Sequence, residues 1–201
     1  MTTSPLQRIQ ALAASREAVR TSELVEAGVS NQAITRLMRR GELEKVRRGV
    51  YRLPDSPITE HHDLVNAIKG APRAVVVLLS ALRFHGIGTQ NPHEVWIQLP
   101  IKAHAPKIEW PPVRIIRSSV DSLFTEGVER HRLSGEIVPV TTPARTVADC
   151  FKQRNKIGID VCVEALRETL RTRKATIGQM GEMGRLLRVG KVMQPYLEAM
   201  I

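Results

Sequence analysis

Aromatic residues are scarce in this chain: three Phe, two Trp and two Tyr make up 3% of 201 residues. Recognition of single-stranded nucleic acid depends on bases stacked on aromatic rings, so that mode is disfavoured and a duplex is the better partner. Cysteine is rarer still. Cys150 and Cys162 fall on separate predicted helices and are expected to be small buried hydrophobes, with neither a disulfide nor a metal. The longest aliphatic run, Ala74 to Leu79, is far shorter than the roughly 20 residues that cross a bilayer, and the N-terminus shows no secretory signal. A cytoplasmic protein without membrane contact is expected.

The chemistry of an enzyme is also missing. There is no Gly-rich phosphate loop, neither Ser nor Cys sits in a nucleophile elbow, and no carboxylate pair with a following lysine suggests a metal-dependent nuclease. His61, His62 and Asp63 are the densest candidate metal cluster, but adjacent histidines project 100° apart on a helix and do not ligate from one face as an i, i+4 pair does. His85, near a helix end, is expected to cap or pack. His93, His104 and His131 have no partner at ligand spacing. We therefore expect no catalytic residues, no cofactor and no metal.

Positive charge is what the chain has in excess. Thirty Lys and Arg against 20 Asp and Glu give a net +10, and the pI is near 10.3. A polyanionic partner is the simplest implication. Half of the excess is local: between Arg36 and Arg52 seven basic residues stand against Glu42 and Glu44.

That region has an ordered grammar. Thr21 is placed to N-cap a helix with Leu24, Val25 and Ala27 on its inward side, and Gly28 ends it. Ser30 caps a second helix, Asn31 to Arg40, whose residues separate into two faces at 100° per step. Ala33, Ile34 and Leu37, with Met38 at the margin, form the apolar face. Asn31, Gln32, Thr35, Arg36 and Arg39 form the other, and their amides and guanidinium forks suit the donor and acceptor pattern of a major groove. Gly41 stops the helix. Leu43, Val46, Val50 and Leu53 then mark two short extended runs with Arg47, Arg48 and Gly49 at the bend, a hairpin whose basic tip suits phosphate.

The whole is the pattern of a winged helix-turn-helix, with Ser30, Asn31, Gln32, Thr35, Arg36, Arg39, Arg40, Arg47 and Arg48 as candidate DNA-binding residues. Leu6 to Ala14, with Leu6, Ile9, Leu12 and Ala13 at helical spacing, supplies its first helix.

Pro54, Ser56 and Pro57 interrupt every periodic pattern and put a linker at Pro54 to Thr59. Two domains are predicted, 1–56 and 57–201. In the second, Glu60 to Lys69 reads as a helix with Leu64, Val65 and Ile68 inward. Ala74 to His85 reads as a buried helix ended by Gly86. Strand-like runs follow at 93–100 and 113–119, and 127–133 and 136–140 are expected to pair across Ser134 and Gly135. Pro139 suggests that the last of them is an edge or ends early.

Thr141 to Phe151, TTPARTVADCF, is a well-defined helix start. Thr142 is the N-cap, Pro143 stands at the first helical position, Ala144, Val147, Ala148 and Phe151 face inward, and Arg145 and Asp149 are an i, i+4 pair. Helices over Asp160 to Arg171, with Cys162, Val163, Leu166 and Leu170 inward, and over Thr176 to Leu187 come next, then a last segment containing Pro195. The fold class is α+β: a winged helix-turn-helix, then helices around a small β-sheet, with a helical C-terminus.

The segments RRGVYRL, LSALRFHGIG, VWIQLP and VPVTTPARTVADCF, in that order between about Ala18 and Leu170, resemble the AbiEi-type antitoxins of bacterial toxin-antitoxin systems of type IV-like action. The resemblance implies that the N-terminal domain binds inverted repeats in the promoter of its own operon and represses it. It also implies that the C-terminal domain counteracts a nucleotidyltransferase-like toxin. On this sequence the reading role falls on the outward face of Asn31 to Arg40 and the wing role on Arg47 and Arg48.

The expected partners are double-stranded promoter DNA, met as a monomer or a homodimer, and a cognate toxin. Two other functions fit the residues: a stand-alone transcriptional regulator without a toxin, and a protein-protein adaptor built on a winged-helix domain.

Overall fold

In the computed structural model, residues 4–13, 18–54, 61–108 and 110–200 are described. Contacts divide the chain into two units, Met1–Val65 with Arg132–Glu136, and Asn66–His131 with Ile137–Ile201. The linker expected at Pro54 to Thr59 lies, apart from Pro54, outside the described residues, as does the expected domain boundary after residue 56.

The first unit begins with helix α1 (Pro5–Ala13), followed by strand β1 (Val19–Arg20), α2 (Thr21–Glu26) and α3 (Asn31–Arg39). Strands β2 (Glu44–Arg47) and β3 (Val50–Arg52) complete it as a three-stranded sheet in the order β1-β3-β2. Its core joins the three helices to the sheet through Ile9, Val19, Leu24, Ile34, Leu37 and Leu43. Burial of such side chains contributes about 1.5–3 kcal/mol each.

Two details differ from the sequence reading. Thr21 is the first residue of α2 rather than its cap: the chain enters through Arg20, whose backbone N–H donates to the Glu23 carboxylate at 2.6 Å. The expected inward residue Val25 is 51% exposed. A helix of six residues has room for one buried turn, and Leu24 fills it.

The second unit is built on a five-stranded sheet in the order β6-β5-β4-β8-β7. Helix α4 (His62–Gly70) leads in, and β4 is Val75–Val76. The expectation of one helix over Ala74 to His85 is corrected here. The aliphatic run supplies a strand, because successive valines favour the pleated backbone, and helix α5 starts only at Leu78 and ends at Phe84.

Strand β5 (Val95–Pro100) runs antiparallel to β4 and parallel to β6 (Val113–Ser118). After a 3₁₀ turn at Asp121–Phe124, β7 (Val128–Leu133) and β8 (Glu136–Thr141) follow as neighbours in the sheet. The bend between them has positive φ at Ser134 and Gly135. Strand β8 is not an edge, contrary to the Pro139 argument. It runs through Pro139 to Thr141 beside β4, where the two-residue β4 registers with it at Val76 and Val140. The missing N–H of Pro139 falls beside that pair.

Helix α6 (Pro143–Lys152) lies at the centre of this unit, packed on α5, α8 (Ile159–Arg171) and α9 (Ile177–Leu186). Thr142 caps it by accepting from the Arg145 N–H at 3.3 Å, and every residue from Ala144 to Phe151 is buried. A short helix α7 (Arg154–Ile157), absent from the sequence reading, precedes α8. Helix α10 (Gly190–Glu198) carries Pro195. In α8, Cys162 and Leu166 are buried while Val163 and Leu170 are half-buried. Both cysteines are free thiols in the core.

Candidate nucleic-acid interface

Helix α3 is set by its two ends. Ser30 has extended backbone and its Oγ accepts from the Ala33 N–H at 3.2 Å, satisfying one of the first-turn donors that a helix leaves open. At the other end the Glu42 N–H reaches back to the Leu37 carbonyl at 3.0 Å and the Gly41 N–H to Met38 at 3.0 Å, the closing pattern of a helix that stops at glycine. Helix α2 ends in the same way, with Val29 donating to Leu24 at 2.8 Å. The Arg8 guanidinium from α1 adds hydrogen bonds to the Ala27 and Gly28 carbonyls. The turn between α2 and α3 is therefore fixed from both sides.

Between these ends the helix is two-faced. Ala33, Ile34 and Leu37 are buried and Met38 is half-buried. Asn31, Gln32, Thr35, Arg36 and Arg39 are all exposed. Arg40 is exposed too, but it is the C-cap residue rather than part of the helix. The Thr35 hydroxyl donates to the Asn31 carbonyl at 3.0 Å, so its proton is used within the helix. Its oxygen remains an acceptor and its methyl an apolar contact.

The hairpin is a tight one. Arg47 pairs with Val50 in register, and Arg48 and Gly49 make the bend. Gly49 has φ +75, a backbone state that a side chain resists, and a Cβ there would meet Thr21 Oγ1 at 3.4 Å. The ladder shifts between Lys45 and Arg47, so a bulge bends the strand just before the tip. Arg48 is exposed. For Arg47 the backbone is on β2, and its side chain lies outside the described residues. Arg52 is already paired, its guanidinium 2.7 Å from the Glu44 carboxylate across the hairpin.

Sequence reasoning did not see β1. Val19 and Arg20 pair with Tyr51 and Val50, and the Thr21 N–H donates to the Gly49 carbonyl at 2.9 Å. This third strand anchors the hairpin at the start of α2, and two residues carry too little pattern to announce it. Lys45, exposed on β2, extends the basic hairpin and was not among the expected site residues.

Among the described residues there is no group of three potential metal ligands. His85 Nε2 is 2.7 Å from the Thr141 carbonyl, and burial holds its pKa below the ordinary 6.5. His131 lies edge-on to Phe84 at 4.7 Å between ring centres, and its Nε2 is 3.4 Å from the Glu129 carboxylate. Nor does any helix among the described residues reach the length and apolarity needed to cross a membrane.

The arrangement in the first unit is a capped helix with a polar outward face beside an anchored basic hairpin. Residues 7–54, which span it, match the family described as "Transcriptional regulator, AbiEi antitoxin". The RRGVYRL segment lies inside that match. Over most of the chain, the crystal structure of the RV2827C protein from Mycobacterium tuberculosis is similar in fold, with a TM-score of 0.60 at 17% identity over 88% of this chain and 69% of that one. The mixed α+β class is thus shared with a solved structure. No curated protein matches the chain in sequence.

Proposed function

We propose that the first unit is a winged helix-turn-helix that binds operator DNA in its own promoter and represses transcription. The observation that carries this reading is the face of α3: Asn31, Gln32, Thr35, Arg36 and Arg39 exposed together on a helix whose opposite side is core. A major groove takes one such helix, and side chains of these types pair with base edges: arginine with guanine, amides with adenine, the threonine methyl with thymine. Arg40 and Arg48, with Arg47, hold phosphates and fix register without reading sequence. The match of residues 7–54 to AbiEi regulators supports the same reading. The chain works as a regulator in the cytoplasm, not as an enzyme.

Under this reading the second unit supplies the antitoxin function against a nucleotidyltransferase-like toxin. The support for that part is the family match of the first unit together with the motifs beyond it, LSALRFHGIG and VPVTTPARTVADCF.

The experiment separates reading from holding. Arg36→Ala or Arg39→Ala is expected to cost roughly 1–3 kcal/mol on the operator and to relax preference at one base position. Arg48→Ala is expected to weaken operator and random duplex alike and to reduce the salt slope by about one unit for each phosphate no longer neutralised. Equal weakening on operator and random DNA from all three variants would overturn the assignment of reader and wing.

A further inference from the structure

Away from the first unit, the second unit contains a cavity between the C-terminal half of α6 and the strands β5 and β6. Water can occupy about 70 Å³ of it, several times the roughly 10–15 Å³ that one water needs. With its mouth, the empty space is about 390 Å³. Six of its lining residues are polar: Gln98, Arg117, Ser118, Asp149, Lys152 and Gln153. The remaining wall is aliphatic, with Leu78, Ile116 and Leu187 among its residues. Aliphatic walls with converging polar groups give a small-molecule site its specificity, and here the polar groups are the more numerous.

The polar groups are arranged by depth. Gln98 is only 5% exposed, and its side chain lines the cavity, where water reaches the amide. Asp149 is 8% exposed. One carboxylate oxygen accepts from Arg145 Nε at 3.0 Å, and the other has no hydrogen bond among the described residues. Arg117 and Lys152 are exposed at the rim. Lys152 Nζ donates to the Leu187 carbonyl at 2.9 Å and Arg117 Nη1 donates to the Pro100 and Ala103 carbonyls, which holds both cations in place while leaving further N–H groups free. Leu78 has φ +52, a backbone state that costs a bulky residue on the order of 1–3 kcal/mol and that clusters at ligand sites.

A buried carboxylate oxygen and a buried amide lining one cavity, with aliphatic walls and two cations at the mouth, suit one kind of ligand. We propose that this cavity binds a guanine nucleotide, base inward and phosphate at the rim. The free Asp149 oxygen takes the adjacent N–H donors of the guanine edge, and the Gln98 amide donates to its carbonyl. Lys152 and Arg117 face the phosphate. An adenine base presents an acceptor where Asp149 needs a donor, so discrimination is built in. This proposal does not depend on the DNA-binding reading.

The test is calorimetric titration of the full chain with GMP, AMP, guanosine and inorganic phosphate, repeated with Gln98→Leu and Lys152→Met. Saturable GMP binding is expected, at least tenfold tighter than AMP and tighter than guanosine. Gln98→Leu should weaken GMP tenfold or more while circular dichroism shows the fold retained, and Lys152→Met should remove the advantage of GMP over guanosine. No GMP binding up to millimolar concentration, binding of phosphate as tight as that of GMP, or affinity unchanged by Gln98→Leu would each overturn the proposal.

Discussion

Asp149 carries its carboxyl group into the core, and burial raises its pKa from the ordinary 3.8 to about 6, against the pull of the Arg145 charge at 3.0 Å. Between pH 6 and pH 3.8 the folded chain therefore binds a proton that the unfolded chain does not, so acidification through this window stabilises the fold. Above about pH 6 the full cost of the buried charge is present. His85 acts in the opposite sense. Its pKa is lowered by burial, so its contribution is complete above pH 6.5 and is lost as pH falls below that value. Thermal melts from pH 8 to pH 5 should show wild type gaining stability relative to Asp149→Asn on acidification. The gap between wild type and His85→Gln should narrow below pH 6.5.

Single caps make a simpler prediction at the same scale. Ser30→Ala removes the Oγ that accepts from Ala33 and should cost about 1 kcal/mol of stability, read as a lower denaturation midpoint. Gly127 is less tolerant. It has φ +64, and a Cβ there would come within 2.8 Å of Arg145 Cβ and 2.9 Å of the Met183 sulfur. Gly127→Ala is expected to destabilise by more than the cap, on the order of 1–3 kcal/mol, in the same denaturation assay.

At the scale of elements, what the sequence disclosed was what is encoded locally. The cap at Ser30, the glycine stop at Gly41 and the two-faced pattern expected over Asn31 to Arg40 are each written within a few residues; the structure has the cap and the stop, and the helix runs to Arg39 with Arg40 as its C-cap. Thr142 and Pro143 announce α6 in the same way.

What was not legible depends on distant partners. Val75 and Val76 look like the start of α5 because an unbroken apolar run has no period, and only pairing with β5 and β8 makes them a strand. Strand β1 exists only because β3 lies beside it. Arg145 and Asp149 read as an i, i+4 pair, and that spacing carries no information on burial. Their burial comes from the helices packed around α6 and from the Glu126 carbonyl, which accepts from Arg145 Nη1 at 2.7 Å. Of the candidate interface, the polar outward face of α3 was legible, and the third strand that anchors its hairpin was not.

At the scale of the whole molecule, a net charge of +10 attracts any polyanion, so affinity alone does not distinguish a repressor from a basic protein. Under the proposed function the outward face of α3 makes the difference, because contacts to base edges persist at salt concentrations that erase phosphate contacts. The measurement that tests this most directly is a gel-shift titration of the intact protein against its own promoter region and a scrambled duplex of equal length, at low and near-physiological salt. The account predicts a preference of several hundredfold or more for the promoter that survives the higher salt. Equal binding to both duplexes, abolished by salt, would contradict it.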